Sequence, residues 1–324
     1  MEKLFDSFNQ LKVLIIGDVM IDSYVWGKVS RISPEAPVPV VDVQQRESRL
    51  GGAANVARNI AALGATPILC SVIGDDEEAH TLEGLLQEME VPTHGLIRSK
   101  DRKTTVKHRI LAGSQQIVRI DSEDTHPISE SESHALVRRV QELLQEADVV
   151  IFEDYDKGVL TQENIQAILQ VANQLGIPST VDPKKRNFMH YEGATLFKPN
   201  LKEMKEGLQV DMEGSVLEIV HKGSRLLQHQ MKVDHLLITL SEHGVFITDF
   251  KEDWHIPAHK REIADVSGAG DTVISIASLC LAKGIPLPQI AALSNLGGGL
   301  VCEHLGVVPI DKAKLLEEAK KLYI

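Results

Sequence analysis

The stretch Asp265-Val266-Ser267-Gly268-Ala269-Gly270-Asp271-Thr272 joins small residues to a carboxylate and runs straight into an apolar segment from Val273 to Ala282. Two glycines around one alanine allow a sharp bend and a close approach by another group. The first amides of the helix that follows have no intrahelical acceptors. Free amides and the positive end of the helix dipole together make an anion site. Asp271 then stands where it would accept a proton from a hydroxyl attacking a phosphate cradled by those amides, in a reaction that asks mainly for positioning. On this reading the carboxylate keeps a low pKa and stays ionised. A glycine turn capped by an aspartate has the same composition, so the stretch alone leaves both readings open. A dinucleotide fingerprint does not fit, because Val273 stands where its third glycine belongs.

Other groups with chemical potential sit where apolar runs end. Lys12 to Gly17 is a short continuous apolar run, the mark of a strand buried on both faces, and Asp18 and Asp22 follow it. Ligands of parallel sheets bind beyond such strand ends, so both acids are placed to meet a substrate. Gly51-Gly52 opens a helix that carries Asn55 on its first turn, where close helix packing and contact with a polar ligand are equally served. Glu153 to Gly158 adds acids and Lys157 to the same rim. Asn200 and Glu203 lie one helical turn apart, a spacing that makes a capping box or, through water, a Mg²⁺ site. Ser241 to Gly244 reads as a turn between two strands, and Asn295 lies in a helical stretch of small residues.

The positioning elements follow from periodicity. Strands are expected at 12–17, 66–73, 149–152, 179–181, 236–240 and 245–248, and helices at 53–64, 77–89, 131–145, 161–175 and 312–322. Repeated βα units of this kind give a mostly parallel sheet with helices on both faces. Segments 23–27 and 38–43, together with 104–111 and 115–121 around a turn at Ala112-Gly113-Ser114, read as extended. They are expected to build a small projecting sheet, a lid from about 20–49 and 104–122, which could also pair two chains. No linker divides the 324 residues, so one domain is expected.

Composition removes several function classes. With 34 basic against 46 acidic residues the formal charge is −12, which disfavours nucleic acid and anionic membranes as partners. No apolar run reaches membrane-spanning length. Cys70, Cys280 and Cys302 are widely spaced among apolar neighbours, as buried free thiols are in a reducing compartment, and the expected location is cytoplasmic. Pro257 separates His255 from His259, so that pair does not share a helix face for a metal.

In their order along nearly the whole chain, Gly51-Gly52 with Asn55, Asn200 with Glu203, Ser241 to Gly244 and Gly268-Ala269-Gly270-Asp271 resemble the ribokinase (PfkB-type) carbohydrate kinase family. Within it the chain is similar to heptose 7-phosphate kinases of lipopolysaccharide precursor synthesis, in which the kinase is joined to an adenylyltransferase. Gly17 to Asp22, Ser30 to Val41, Gly51 to Ala57, Gln115 to Asp121 and Asp154 to Gly158 carry that likeness. The resemblance implies a ribokinase-like α/β fold and ATP-dependent phosphorylation of D-glycero-β-D-manno-heptose 7-phosphate at its anomeric hydroxyl. It implies Asp271 as general base, with the amides of Ala269, Gly270 and Asp271, behind Gly268, as the anion hole. Asn200 and Glu203 would lie near Mg²⁺ and the ATP phosphates, while Ser241, Gly244 and Asn295 flank the nucleotide. Asp18, Gly51, Gly52, Asn55 and Lys157 would hold the sugar, and Arg109 in the lid, ahead of Arg119, Lys107 and the run Lys184-Lys185-Arg186, the distal phosphate. A homodimer through the lid sheet is expected. Two departures stand out: Ser267 replaces the usual threonine but keeps the hydroxyl, and no His-x-Gly-His nucleotidyltransferase signature occurs. The chain is therefore expected to be a stand-alone kinase or the first part of a longer protein. A kinase for another sugar or nucleoside, and a sugar-phosphate binder without catalysis, are the alternatives.

Overall fold

The computed structural model describes residues 1–113, 115–210 and 212–322, so Ser114 of the expected hairpin turn lies outside the described residues. The elements run in the order α1 (Glu2–Ser7), β1 (Lys12–Gly17), β2 (Val19–Ile32), β3 (Pro39–Gly52), α2 (Ala53–Ala62), β4 (Thr66–Gly74), α3 (Glu77–Glu88), β5 (Leu96–Ser99), β6 (Thr105–Ala112), β7 (Gln115–Ser122), α4 (Glu130–Leu144), β8 (Val149–Glu153), α5 (Gln162–Leu175), β9 (Ser179–Asp182), β10 (Leu196–Phe197), α6 (Leu201–Leu208), α7 (Val216–Gln230), β11 (His235–Thr239), β12 (Val245–Thr248), β13 (Asp253–Ile256), α8 (Ala269–Ala282), α9 (Leu287–Val301) and α10 (Lys312–Leu322).

Alternation along β1 divides the core. Val13 and Ile15 enter one apolar layer, under α2, α8 and α9, while Leu14 and Ile16 enter the other, under α4, α5 and α7. A period of two with both faces covered produces the unbroken apolar run seen in the sequence. The main sheet has the order β13-β12-β11-β10-β9-β8-β1-β4-β5, and only β12 runs against the others. Neighbouring strands β1, β8 and β9 end in register, Gly17 beside Glu153 and Glu153 beside Asp182. A side chain on Gly17 would overlap the Glu153 carbonyl, so glycine is required for that close approach.

A second sheet, in the order β3-β2-β6-β7, arises from the two segments expected to form it. Its long strands differ from expectation. β2 and β3 each run 14 residues, with register shifts at Trp26/Gly27 and Val29/Arg31. Such bulges break the alternation by which the full length would have been read. Short β5 and β13 and helices α1 and α7 were not expected, although Ser215 and Glu218 make a capping box for α7. All three cysteines are buried and unpaired. No helix among the described residues is long and apolar enough to cross a membrane.

Candidate active site

Gly268 adopts φ 80° and caps α8, whose first turn carries Asp271. The Ala269 amide donates to Val266 O at 3.3 Å, so of the three amides expected to face an anion only those of Gly270 and Asp271 lack an acceptor among the described residues. A Cβ built on Gly270 would meet only Asp182 Oδ2 at 3.5 Å and Lys198 Nζ at 3.8 Å, which leaves the turn open toward the cleft. Behind it, Ser267 donates through both its amide (3.0 Å) and its hydroxyl (2.9 Å) to Asp265, so serine here retains the bond a threonine would make.

Asp271 is 3% exposed. Asn55 Nδ2 donates to its Oδ2 at 2.6 Å, and the Tyr155 hydroxyl to its Oδ1 at 2.8 Å. Burial raises its pKa above the usual carboxylate range, against the lowering by those two donors. The expected low pKa is thus corrected: removal from water outweighs the two hydrogen-bond donors. Asn55 Oδ1 is buried with no partner, a free acceptor beside the base.

Two more acids converge on this point. Glu153, Asp182 and Asp271 each offer one carboxylate oxygen within 4.8 Å of the other two. Burial, followed by the charges of Asp182 and Asp271, pushes Glu153 well above the usual range, and both its oxygens lack partners. Burial acts on Asp182 in the same sense but is outweighed by Lys184 and Lys198, which hold its pKa low. Lys198 Nζ lies 2.9 Å from Asp182, and Lys184 Nζ 2.5 Å from Glu203. Since Asp271 already takes a donor on each oxygen, the free donors are Glu153 and Asp182. Hard carboxylate oxygens of this kind suit Mg²⁺.

Asn200 and Glu203 form the capping box of α6: Glu203 N donates to Asn200 Oδ1 and Asn200 N to Glu203 Oε2, each at 2.8 Å. With Lys184 on Glu203 Oε1, these two side chains are engaged with protein partners. They line a cleft of ≈ 1360 Å³ with Ser241, Gly244, Asn295 and the Gly268 to Asp271 turn. Asn295 Nδ2 donates to Pro257 O at 2.8 Å. The structure therefore brings together every residue expected at the nucleotide and the base.

On the sugar side the expected residues are held by protein partners. Asp18, 1% exposed, accepts from the amides of Tyr155 (2.8 Å), Lys157 (3.1 Å) and Val159 (3.1 Å), so it anchors a loop. Side chains on Gly51 and Gly52 would overlap Asp22 Oδ2 and Asp18 O, so packing alone accounts for the paired glycines. Lys157 Nζ pairs with Glu123 at 2.7 Å, and Arg109 pairs with Asp22 above the Tyr24 ring. Lys184 pairs with Glu203 and Asp182 and lines the same cleft as the Gly268 to Asp271 turn. Sequence reasoning gave no role to Tyr155, Asp182 or Lys198, and placed Glu153 only among the acids on the rim. All four stand at or just beyond the carboxyl end of a strand, which was the available signal.

These features define a ribokinase-like α/β fold with its site at the carboxyl ends of the strands. Phosphofructokinase-2 of Escherichia coli in complex with potassium superposes with TM-score 0.81 at 18% identity, covering 97% of this chain and 100% of that one. Arabidopsis thaliana ribokinase complexed with ribose and ATP gives 0.73 at 15%, covering 96% and 99%. The model of the family described as pfkB family carbohydrate kinase matches residues 10–313, and the chain belongs to that family. It is a carbohydrate kinase, a phosphotransferase with an alcohol group as acceptor. Among curated relatives, bifunctional protein HldE of Syntrophotalea carbinolica is 39% identical over 318 residues, 98% of this chain and 64% of its own length. Its namesake from Pseudomonas syringae pv. tomato is 44% identical over 312 residues, covering 95% and 63%. The chain spans just under two thirds of the length of these relatives.

Proposed function

We propose that the chain phosphorylates D-glycero-β-D-manno-heptose 7-phosphate at its anomeric hydroxyl, using ATP and giving the 1,7-bisphosphate. The observation that carries the reading is the placement of Asp271 between two half-sites. On one side stands the partnerless Asn55 Oδ1, on the other the free amides of Gly270 and Asp271. Asn55 aligns the acceptor hydroxyl, Asp271 takes its proton, and the two amides with Lys184 and Lys198 meet the charge of the transferred group. A raised pKa suits Asp271 to receiving a proton at neutral pH. Mg²⁺, when bound, neutralises phosphate charge. Glu153 and Asp182 would hold it, with Asn200 and Glu203 reaching it through water.

The small sheet serves as the lid. Lys107 and Arg109 lie two residues apart on one face of β6, beside Asp22 and Tyr24 of β2. They are the cations we assign to the distal phosphate, Arg109 gripping it with its guanidinium fork. The choice of heptose rests on the likeness of Gly17 to Asn55 and Lys107 to Asp121 to heptose 7-phosphate kinases. The curated relatives are bifunctional by name and extend beyond the part this chain matches, in keeping with a kinase joined to a second enzyme. ADP release measured over a panel of sugar phosphates and nucleosides tests the substrate. Heptose 7-phosphate should give the highest kcat/KM; preference for another acceptor by tenfold or more would replace the substrate but keep the kinase.

A further inference from the structure

Tyr155 is half-buried and has its ring in the cleft beside the anion turn. Its hydroxyl donates to Asp271 Oδ1, the oxygen opposite the one held by Asn55. Two contacts fix it there. The Tyr155 amide is tied to Asp18, whose carboxylate also holds the amides of Lys157 and Val159. The ring lies under the Lys184 ammonium, 5.2 Å from its centre, and Lys184 is in turn held by Glu203. Asp18 thereby holds the loop from Tyr155 to Val159 along its length, and Lys184 covers its Tyr155 end.

Resting on the kinase reading above, we infer that Tyr155 is a positioning residue whose hydroxyl occupies the proton-accepting oxygen of Asp271 until the sugar hydroxyl replaces it, and thereby keeps water from being used as acceptor. A kinase with a base poised beside a bound triphosphate faces a side reaction. Water's oxygen attacks the γ-phosphorus, its proton passes to Asp271, and the bond to the bridging oxygen breaks with its electron pair leaving on ADP. A hydrogen bond to a charged acceptor is worth enough to hold a weak competitor off. A sugar fixed by Asn55 and the lid gains the additional contacts needed to displace the phenol, whereas a lone water does not.

The test compares wild type with Tyr155→Phe, which keeps the ring and removes only the hydroxyl. ATP hydrolysis without sugar is measured alongside phosphorylation of heptose 7-phosphate, and ATP binding is checked by its shift of the melting temperature. We expect sugar-free hydrolysis to rise about tenfold in Tyr155→Phe, with ATP binding unchanged and sugar phosphorylation no faster than wild type. The double variant Tyr155→Phe/Asp271→Asn should return hydrolysis to the wild-type level or below, because the gain runs through Asp271. Hydrolysis in Tyr155→Phe at or below wild type overturns the inference, as does a gain that persists in the double variant. Failure of the kinase reading is separate: wild type would then phosphorylate no sugar in the panel, whatever the variants do.

Discussion

At the scale of single residues, the site depends on how burial divides three carboxylates. Asp182 stays charged because two lysines face it, while Glu153 has none in contact and is driven toward its neutral form by burial and then by Asp182 and Asp271. An acid with a raised folded pKa favours the native state below its ordinary pKa and loses that contribution as pH climbs toward the folded value. Wild type should therefore lose up to about 1.4 kcal/mol per pH unit through this group in the absence of metal. Glu153→Gln, which cannot ionise, should melt a few degrees above wild type at pH 8 in EDTA and equal it near pH 4.5. A gap that does not widen with pH in thermal scans would contradict the neutral assignment. The Gly268 to Asp271 turn was legible because its chemistry is local: glycines, a helix start and an acid in one stretch. The company Asp271 keeps was not. Asn55 and Tyr155 are 216 and 116 residues away in sequence, and only the order of strands brings them to it.

At the scale of elements, strand ends and helix starts position the chemistry. Alternation of apolar runs with helical patterns disclosed β1, β4, β8, β9 and the helices between them. Position along the chain also gave the nucleotide half, because helix-start residues such as Asn200 keep their meaning wherever the helix packs. The sugar half was less legible because an acid at a strand end has two equal uses, and the one the structure shows for Asp18 is to hold backbone amides. Asp18→Ala would leave one buried and two part-buried amides without acceptors, and we expect about 3 kcal/mol lost in urea unfolding. Sugar phosphorylation should fall mainly in kcat, since Tyr155 loses its anchor, and the sugar KM should move less. A large rise in sugar KM with stability unchanged would instead make Asp18 a sugar ligand.

At the scale of the molecule, the small sheet has two unlike faces. Asp22, Tyr24, Lys107 and Arg109 share one face, and Tyr24 ties it to the body by accepting from Val307 N at 3.2 Å. By register, Val29, Val43, Val118 and Ile120 share the other, and they are 39–55% exposed. A second copy covering this apolar face would give the homodimer expected from the sequence. Light scattering should give twice the 35.7 kDa chain mass for wild type and the single mass for Val118→Asp/Ile120→Asp. A monomeric wild type at micromolar concentration would remove the lid dimer while leaving the kinase untouched. The central claim is transfer of phosphate to a sugar hydroxyl by way of Asp271. Its most direct measurement is the ³¹P NMR spectrum of heptose 7-phosphate incubated with ATP, Mg²⁺ and the protein. Wild type should yield a second phosphate signal coupled to the anomeric proton, and Asp271→Asn should form it about 10³-fold more slowly. No new sugar phosphate with wild type, or an equal rate with Asp271→Asn, would contradict the account.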